Sequence, residues 1–61
     1  MRLKELRLKM GVSQQVVANA IACSKNAYSH YEREERNPDI ATLKLLSKYF
    51  GVSIDYMVGN D

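Results

Sequence analysis

The sequence predicts an all-α fold, a compact domain of five helices. Polar N-cap candidates recur ahead of apolar stripes at helical spacing, and no segment alternates apolar and polar residues for long enough to form a strand. Gly and Pro number only 3 and 1, so the chain has few breaks. Its 61 residues suffice for one hydrophobic core. We therefore expect residues 1–61 to form a single domain.

The first two helices are indicated by apolar stripes between capping residues. Leu3, Leu6 and Met10 lie at i, i+3 and i+7, and Gly11 follows them as a C-terminal stop. A second helix should begin after Ser13, whose hydroxyl can accept a hydrogen bond from the first turn. Its inward stripe is Val17, Ala18 and Ile21.

A third helix should begin after Ser24 and extend to about Arg33. When each residue advances by about 100°, one arc of this helix holds basic, amide and hydroxyl side chains and no carboxylate. The residues of this arc are Lys25, Asn26, Ser29, His30 and Arg33. Asn pairs bidentately with adenine and Lys with guanine, so the arc is typical of a helix that reads the DNA major groove. The alternative is a solvated helix face, but such faces usually mix acidic and basic side chains.

Two further helices follow a break in the chain. Pro38 disfavours helical backbone at Asn37, and Asp39 can cap a fourth helix that stops at Gly51. The side chains that this helix is expected to turn inward are Ile40, Leu43, Leu46 and Phe50. Ser53 can cap a short fifth helix, which contains Tyr56, Met57 and Val58.

Composition narrows the possible functions. Nine Lys and Arg against seven Asp and Glu give a net charge of +2, which permits a nucleic-acid partner without requiring one. No apolar stretch approaches the roughly 18 residues of a membrane span, and the charged N-terminus is unlike a signal peptide. Cys23 is the one cysteine and cannot form an intramolecular disulfide, so we expect a cytoplasmic protein.

Catalytic and ligand-binding chemistry has little basis in this sequence. Cys23 and His30 are the only candidate nucleophile and base. A structural role for Cys23 as a partly buried turn residue is enough to explain its presence. A structural zinc site needs four ligands, and the chain offers two soft ones. We therefore expect no enzymatic activity, no metal, no cofactor and no small-molecule ligand.

From Leu6 to Val58 the chain resembles the Cro/C1-type helix-turn-helix transcriptional regulators of bacteria and phages. The matching runs are LRLKMGVSQQVVANAIACSKNAYSHYER and RNPDIATLKLLSKYFGVSIDYMVG. The resemblance rests on the order and spacing of short signals: Ser13-Gln14, Tyr31-Glu32-Arg33, Asn37-Pro38-Asp39 and Gly51-Val52-Ser53. It implies a lambda-repressor-like domain in which helices two and three form the helix-turn-helix. It also implies a repressor that binds a two-fold symmetric operator as a homodimer.

The resemblance assigns roles to individual residues. The positions that reach base edges are Lys25, Asn26 and His30, with Ser29 beside them. Positions that contact phosphates are Gln14, Arg36 and Asn37, and we expect Arg33, on the polar arc of the third helix, to contact a phosphate as well. Arg7 and Glu32 match a partly buried ion pair between helices one and three. The C-terminal segment that often dimerises contains Tyr56, Met57 and Val58.

Two positions depart from the family pattern. Ala22 and Glu34 occupy turns where the family usually has Gly, so we predict a positive φ at one or both. Glu34 and Glu35 also bring negative charge towards the phosphate-facing loop, which would make the affinity for DNA modest.

A protein-interaction or antitoxin-like module is the alternative function. Leu8, Val16 and Leu45 lie off the predicted core stripes. Single exposed apolar residues are common, but together these three could form a surface that contacts a protein partner.

Overall fold

The computed structural model describes residues 1–59 and contains five α-helices in that range. They are α1 (Leu3–Met10), α2 (Gln14–Ala20), α3 (Lys25–Glu32), α4 (Ile40–Phe50) and α5 (Ile54–Val58). Residues 1–59 contain no strand, so the all-α fold class is confirmed. The predicted domain runs to residue 61, and its last two residues lie outside the described range.

The predicted N-caps are present at four helices. In each case the side-chain oxygen accepts a hydrogen bond from the backbone N–H three residues later, which satisfies a donor that has no partner within the helix. The four caps are Ser13, Ser24, Asp39 and Ser53. Hydrogen bonds from the Thr42 side chain and from its backbone N–H lower the pKa of the Asp39 carboxyl. Short polar residues at these positions therefore define where the helices begin.

A left-handed residue follows every helix in the described range. Three of these residues are glycines and two are not: Gly11, Ala22, Glu34, Gly51 and Gly59. The φ angles of Ala22 and Glu34 are 57° and 60°, so the predicted positive φ is confirmed at both positions. The Cβ of such a residue costs roughly 1 kcal/mol. The two turns therefore retain a small strain that glycine would remove.

The core lies where the five helices meet. Its buried side chains are Leu3, Leu6, Val17, Ala18, Ile21, Tyr28, Leu46 and Met57. Two residues of the predicted inward stripes are instead exposed, Met10 at 47% and Ile40 at 69%. The expectation was wrong for both because each lies at the end of its helix, beyond the part that neighbouring helices cover.

The N-terminal segment holds the short helix α5 in place. The backbone N–H of Arg2 donates to the carbonyl of Met57 at 2.7 Å, and its Nε donates to the carbonyl of Tyr56 at 2.8 Å. The Arg2 guanidinium also lies 4.6 Å from the centre of the Tyr56 ring. These contacts turn Met57 into the core, where it is fully buried. Met57 therefore cannot belong to a dimerisation surface, whereas Val58 is exposed and Tyr56 partly so.

Candidate nucleic-acid interface

Helices α2 and α3 pack against each other as a two-helix unit joined by a tight turn. Val17 and Ala18 of α2 and Tyr28 of α3 are buried between the helices and the rest of the core. After α2 the chain reverses at Ala22, and the Cys23 N–H donates to the Ala18 carbonyl at 3.0 Å. This left-handed turn sets the angle at which α3 leaves α2.

The outward side of α3 carries the side chains that the sequence assigns to base reading. Lys25 and Asn26 are exposed, and Ser29 and His30 are partly exposed. Tyr28 on the opposite side is fully buried. Packing of Tyr28 therefore orients the helix so that the polar arc faces outward.

Glu32, the one carboxylate of α3, is withdrawn from that surface. Its Oε2 accepts a hydrogen bond from Arg7 Nε at 2.6 Å, and only 12% of the Arg7 side chain and 3% of the Glu32 side chain are exposed. Burial raises the pKa of Glu32, but hydrogen bonds from Arg7 and Gln14 outweigh it, and the net pKa is lowered. The ion pair implied by the family resemblance is thus present, and Glu32 is ionised within it.

Gln14 joins α2 to the same ion pair. Its Nε2 donates to Glu32 Oε1 at 3.1 Å, while Arg7 Nη1 donates to the Val12 carbonyl at 2.9 Å. The Gln14 side chain thus braces α3 against α2, and its assignment as a phosphate contact remains a prediction.

Tyr28 is buried beside the ion pair. Burial and the neighbouring Glu32 carboxylate raise the pKa of the Tyr28 hydroxyl far above its usual range, so the phenol stays neutral. Within residues 1–59 no group completes a hydrogen bond to this hydroxyl. The Tyr28 ring itself is part of the core cluster.

The loop after α3 contains a contact that the sequence reasoning missed. Glu35 Oε1 lies 2.8 Å from His30 Nδ1 and 3.1 Å from Arg33 Nη2, and these hydrogen bonds lower the pKa of Glu35. The Glu34 carboxylate contacts the N-terminal ammonium of Met1. Both acidic residues of the loop are thus paired within the protein, and the modest affinity for DNA expected from them stays a prediction.

Positive φ at Glu34 was the signal that could have revealed the Glu35 contact, because it brings Glu35 back beside His30.

Arg36 and Asn37, further along the loop, are exposed. In the described range neither makes a side-chain hydrogen bond, so both are available to an external group.

Other kinds of site are not evident in residues 1–59. The Cys23 thiol donates to the Ser24 carbonyl at 3.4 Å, and burial raises its pKa. Over the described range there is no pocket, and no group of three or more His, Cys, Asp and Glu side chains is placed to hold a metal ion. The helices of that range are also too short or too polar to cross a membrane.

The apolar residues assigned to the alternative function are exposed. Leu8, Val16 and Leu45 lie on α1, α2 and α4 respectively, and none of them belongs to the core. Exposure of single apolar residues is common in soluble proteins, so it does not by itself indicate a protein partner.

Comparison with known proteins places this geometry in a family. A family model described as helix-turn-helix matches residues 3–57. The chain is 45% identical over 60 residues to the HTH-type transcriptional regulator ImmR of Bacillus subtilis, covering 98% of this chain and 47% of that protein. It is 34% identical over 59 residues to the cryptic phage CTXphi transcriptional repressor RstR of Vibrio cholerae, covering 97% of this chain and 53% of that protein.

A solved structure shows the same arrangement of helices. The P22 c2 repressor, crystallised with a synthetic operator, aligns with a TM-score of 0.92 and 32% sequence identity. The alignment covers 98% of this chain and 91% of the repressor chain. The present chain spans about half the length of ImmR and RstR. The buried α1–α3 ion pair, the tight α2–α3 turn and these matches lead to one conclusion: the chain belongs to the Cro/C1-type helix-turn-helix family.

Proposed function

We propose that this chain binds double-stranded DNA sequence-specifically and acts as the DNA-binding part of a transcriptional repressor. Helix α3 enters the major groove in this proposal, with Lys25, Asn26, Ser29 and His30 at the base edges. The protein is a binding protein rather than an enzyme, and it acts in the bacterial cytoplasm, where its operator lies.

The observation that carries the proposal is the charge distribution of α3. Its outward arc presents amide, hydroxyl, imidazole and ammonium groups, and its one carboxylate is held inside by Arg7. A carboxylate on this face would repel the phosphates that flank the groove. Burial of Glu32 therefore removes the one carboxylate of α3 itself from this surface. The P22 c2 repressor, which has the same fold, was crystallised with operator DNA.

Phosphate contacts are proposed at the two ends of the helix-turn-helix. Arg36 and Asn37 are exposed in the loop that follows α3, and Arg33 is exposed at its end. Gln14 lies at the first position of α2. Contacts of this kind set the register of a protein on the duplex without reading its sequence.

A homodimer is part of the proposal. One module of this size buries roughly 600–1,000 Å² on DNA, which is small for tight discrimination. Two copies on half-sites about one helical turn apart would double the number of base contacts. Because Met57 lies in the core, the proposed dimerisation surface is restricted to Tyr56 and Val58.

Selection from a randomised duplex library, followed by sequencing of the bound pool, tests the function. A two-fold symmetric consensus would support direct readout by two copies and would give the half-site spacing. A short asymmetric consensus would support DNA binding and contradict the dimer.

The alternative function predicts a different result. A protein-interaction module should show no enrichment, and no measurable affinity for random duplex even at low salt. A DNA-binding domain should bind random duplex at low salt and lose affinity steeply as salt is added. If no binding occurs, variants of Leu8 and Val16 would test the protein-partner function next.

A further inference from the structure

The backbone at the end of α3 brings Glu35 back to His30. Glu34 adopts a left-handed conformation, its N–H donates to the Tyr31 carbonyl, and the Glu35 N–H donates to the His30 carbonyl at 3.0 Å. In this helix-ending motif the residue after the left-handed one lies beside the residue five positions earlier, and the contact is commonly apolar. Here the two side chains are a carboxylate and an imidazole.

The contacts of Nδ1 indicate which nitrogen of the His30 ring carries the hydrogen. Glu35 Oε1 lies 2.8 Å from His30 Nδ1, and Arg33 Nη2 donates to the same oxygen at 3.1 Å. An ionised carboxylate can only accept hydrogen bonds. Arg33 Nη2 also lies 3.3 Å from Nδ1 and could donate to it if Nδ1 carried no hydrogen. Two lone pairs would then face each other across the shorter 2.8 Å contact with Glu35, so the hydrogen belongs on Nδ1, which donates it to Glu35.

The other ring nitrogen is then determined. A neutral imidazole has one donor and one acceptor nitrogen, so Nε2 of His30 carries the lone pair. In residues 1–59 no group is hydrogen-bonded to Nε2. His30 lies on the outward arc of α3, in line with Asn26 and Ser29, so this acceptor is available to a base edge.

We propose that Glu35 is a positioning residue that sets the tautomer of His30 and thereby selects the base that His30 reads. The inference rests on the proposed function. The hydrogen-bond donors of the major groove are the amino groups of adenine N6 and cytosine N4, whereas guanine offers only acceptors there. A neutral His30 held by Glu35 therefore favours adenine or cytosine and disfavours guanine at one position of each half-site.

This role is separable from a contribution to stability. The His30, Arg33 and Glu35 side chains are all at least one-third exposed. Ion pairs at such exposure contribute little to folding. Variants of Glu35 are therefore expected to remain folded, and a change in base preference would not be a consequence of unfolding.

The first test measures the tautomer in the free protein. His30 is the one histidine of the chain, so its two ring nitrogens can be assigned without ambiguity by 15N NMR. A series of pH values identifies the spectrum of the neutral form. We expect the hydrogen on Nδ1 in the wild-type protein and in Glu35→Gln, whose amide oxygen can still accept it. In Glu35→Ala the hydrogen should move mainly to Nε2.

The second test measures base preference by selection from a duplex library at a pH where the neutral form predominates. We expect the wild-type protein to prefer adenine or cytosine about five-fold at one position. A preference of this size corresponds to the free energy that one neutral hydrogen bond contributes. This preference should fall below about two-fold in Glu35→Ala and in His30→Ala. It should be retained in Glu35→Gln and in Glu5→Ala, a control that removes another exposed carboxylate.

Three results would overturn the inference. The first is a wild-type His30 with the hydrogen on Nε2. The second is a Glu35→Ala variant with unchanged base preference. The third is an equal gain in affinity for all sequences in Glu35→Ala and Glu5→Ala, which would show that Glu35 acts only through its charge. Failure of the wild-type protein to enrich any sequence would instead refute the proposed function. The NMR measurement needs no DNA, so it would still show whether Glu35 sets the tautomer of His30.

Discussion

Arg7 of α1 and Glu32 of α3 form an ion pair 2.6 Å long that is almost closed to solvent. It joins the first helix to the helix proposed to read DNA, and Gln14 adds a hydrogen bond from the helix between them. One polar cluster therefore aligns three helices and at the same time removes a negative charge from the outer face of α3. The stability of the domain and the electrostatic compatibility of α3 with DNA thus depend on the same residues.

Breaking this pair should be costly. Glu32→Ala leaves the Arg7 guanidinium largely buried without its carboxylate, and we expect a loss of about 3–5 kcal/mol in the free energy of unfolding. Urea denaturation followed by circular dichroism measures it. Glu5→Ala, on the exposed side of α1, should change the same quantity by less than about 0.5 kcal/mol. The double variant Arg7→Met with Glu32→Met should be more stable than Glu32→Ala, because neither charge is left unpaired.

The same pair should make stability depend on pH. The folded state lowers the pKa of Glu32 from its ordinary value of 4.5, so the unfolded chain binds a proton at higher pH than the folded one. The stabilisation is therefore complete above about pH 4.5 and is lost as pH falls through the lower pKa of the folded state. Melting temperatures measured from neutral to acidic pH should fall less steeply in the Arg7→Met, Glu32→Met variant than in the wild-type protein. Equal slopes would contradict a coupling through Glu32.

Glycine should stabilise the two turns that now contain Ala22 and Glu34. Ala22→Gly and Glu34→Gly remove a Cβ from left-handed backbone, and each should stabilise the domain by about 1 kcal/mol. For a domain of this size the melting temperature should rise by roughly 4–8 °C. Ala41→Gly, inside α4, makes the same chemical change at a helical position and should lower the melting temperature. A decrease with Ala22→Gly would mean that the turn is not strained.

Ser24 offers a way to separate folding from DNA binding. Its hydroxyl caps α3 by accepting from Ala27 N–H, so Ser24→Ala should cost about 1 kcal/mol of stability. Ser24→Asp keeps a capping oxygen and should preserve the melting temperature. It also adds a negative charge at the end of α3 proposed to approach the duplex, so binding to random DNA should weaken. Unchanged affinity in Ser24→Asp would argue against the proposed docking of α3.

Base contacts and phosphate contacts should respond differently to mutation. Asn26→Ala should cost about 1–3 kcal/mol on the selected operator, relax the preference at one base pair and leave random duplex almost unaffected. Arg36→Ala should weaken both kinds of DNA alike and reduce the slope of log affinity against log salt by about 1. Affinities measured at several salt concentrations distinguish the two patterns. An equal loss on random duplex would exclude Asn26 as a base-reading residue.

Local features of the chain account for most of what could be predicted about the fold. A Ser or Asp side chain reaches the first turn of its own helix, and a left-handed residue ends a helix through its own backbone, so neither effect needs the rest of the protein. The four N-caps and the stop at Gly11 were therefore readable from the sequence. The strained turns at Ala22 and Glu34 needed the family pattern as well, because neither residue favours positive φ by itself.

Burial was predicted less well, because periodicity identifies the face of a helix but not how much of that face a neighbour covers. Ile40 and Met10 have the correct phase and still face solvent at helix ends. Met57 lies in the short helix that Arg2 draws against the core, and no local pattern distinguishes it from Val58.

For the proposed site, the chemistry of α3 and its lack of an outward carboxylate could be predicted, since they follow from residue type and a rotation of about 100° per residue. Which of these groups have partners, and which residues those partners are, depends on how the helices pack. Glu32 is closed off because Arg7 and Gln14 converge on it from two other helices. The His30 ring meets a carboxylate because the chain reverses at Glu34 and returns Glu35 to within 2.8 Å of Nδ1. Hydrogen bonds across such reversals depend on distances in space, and spacing along the chain does not specify those distances.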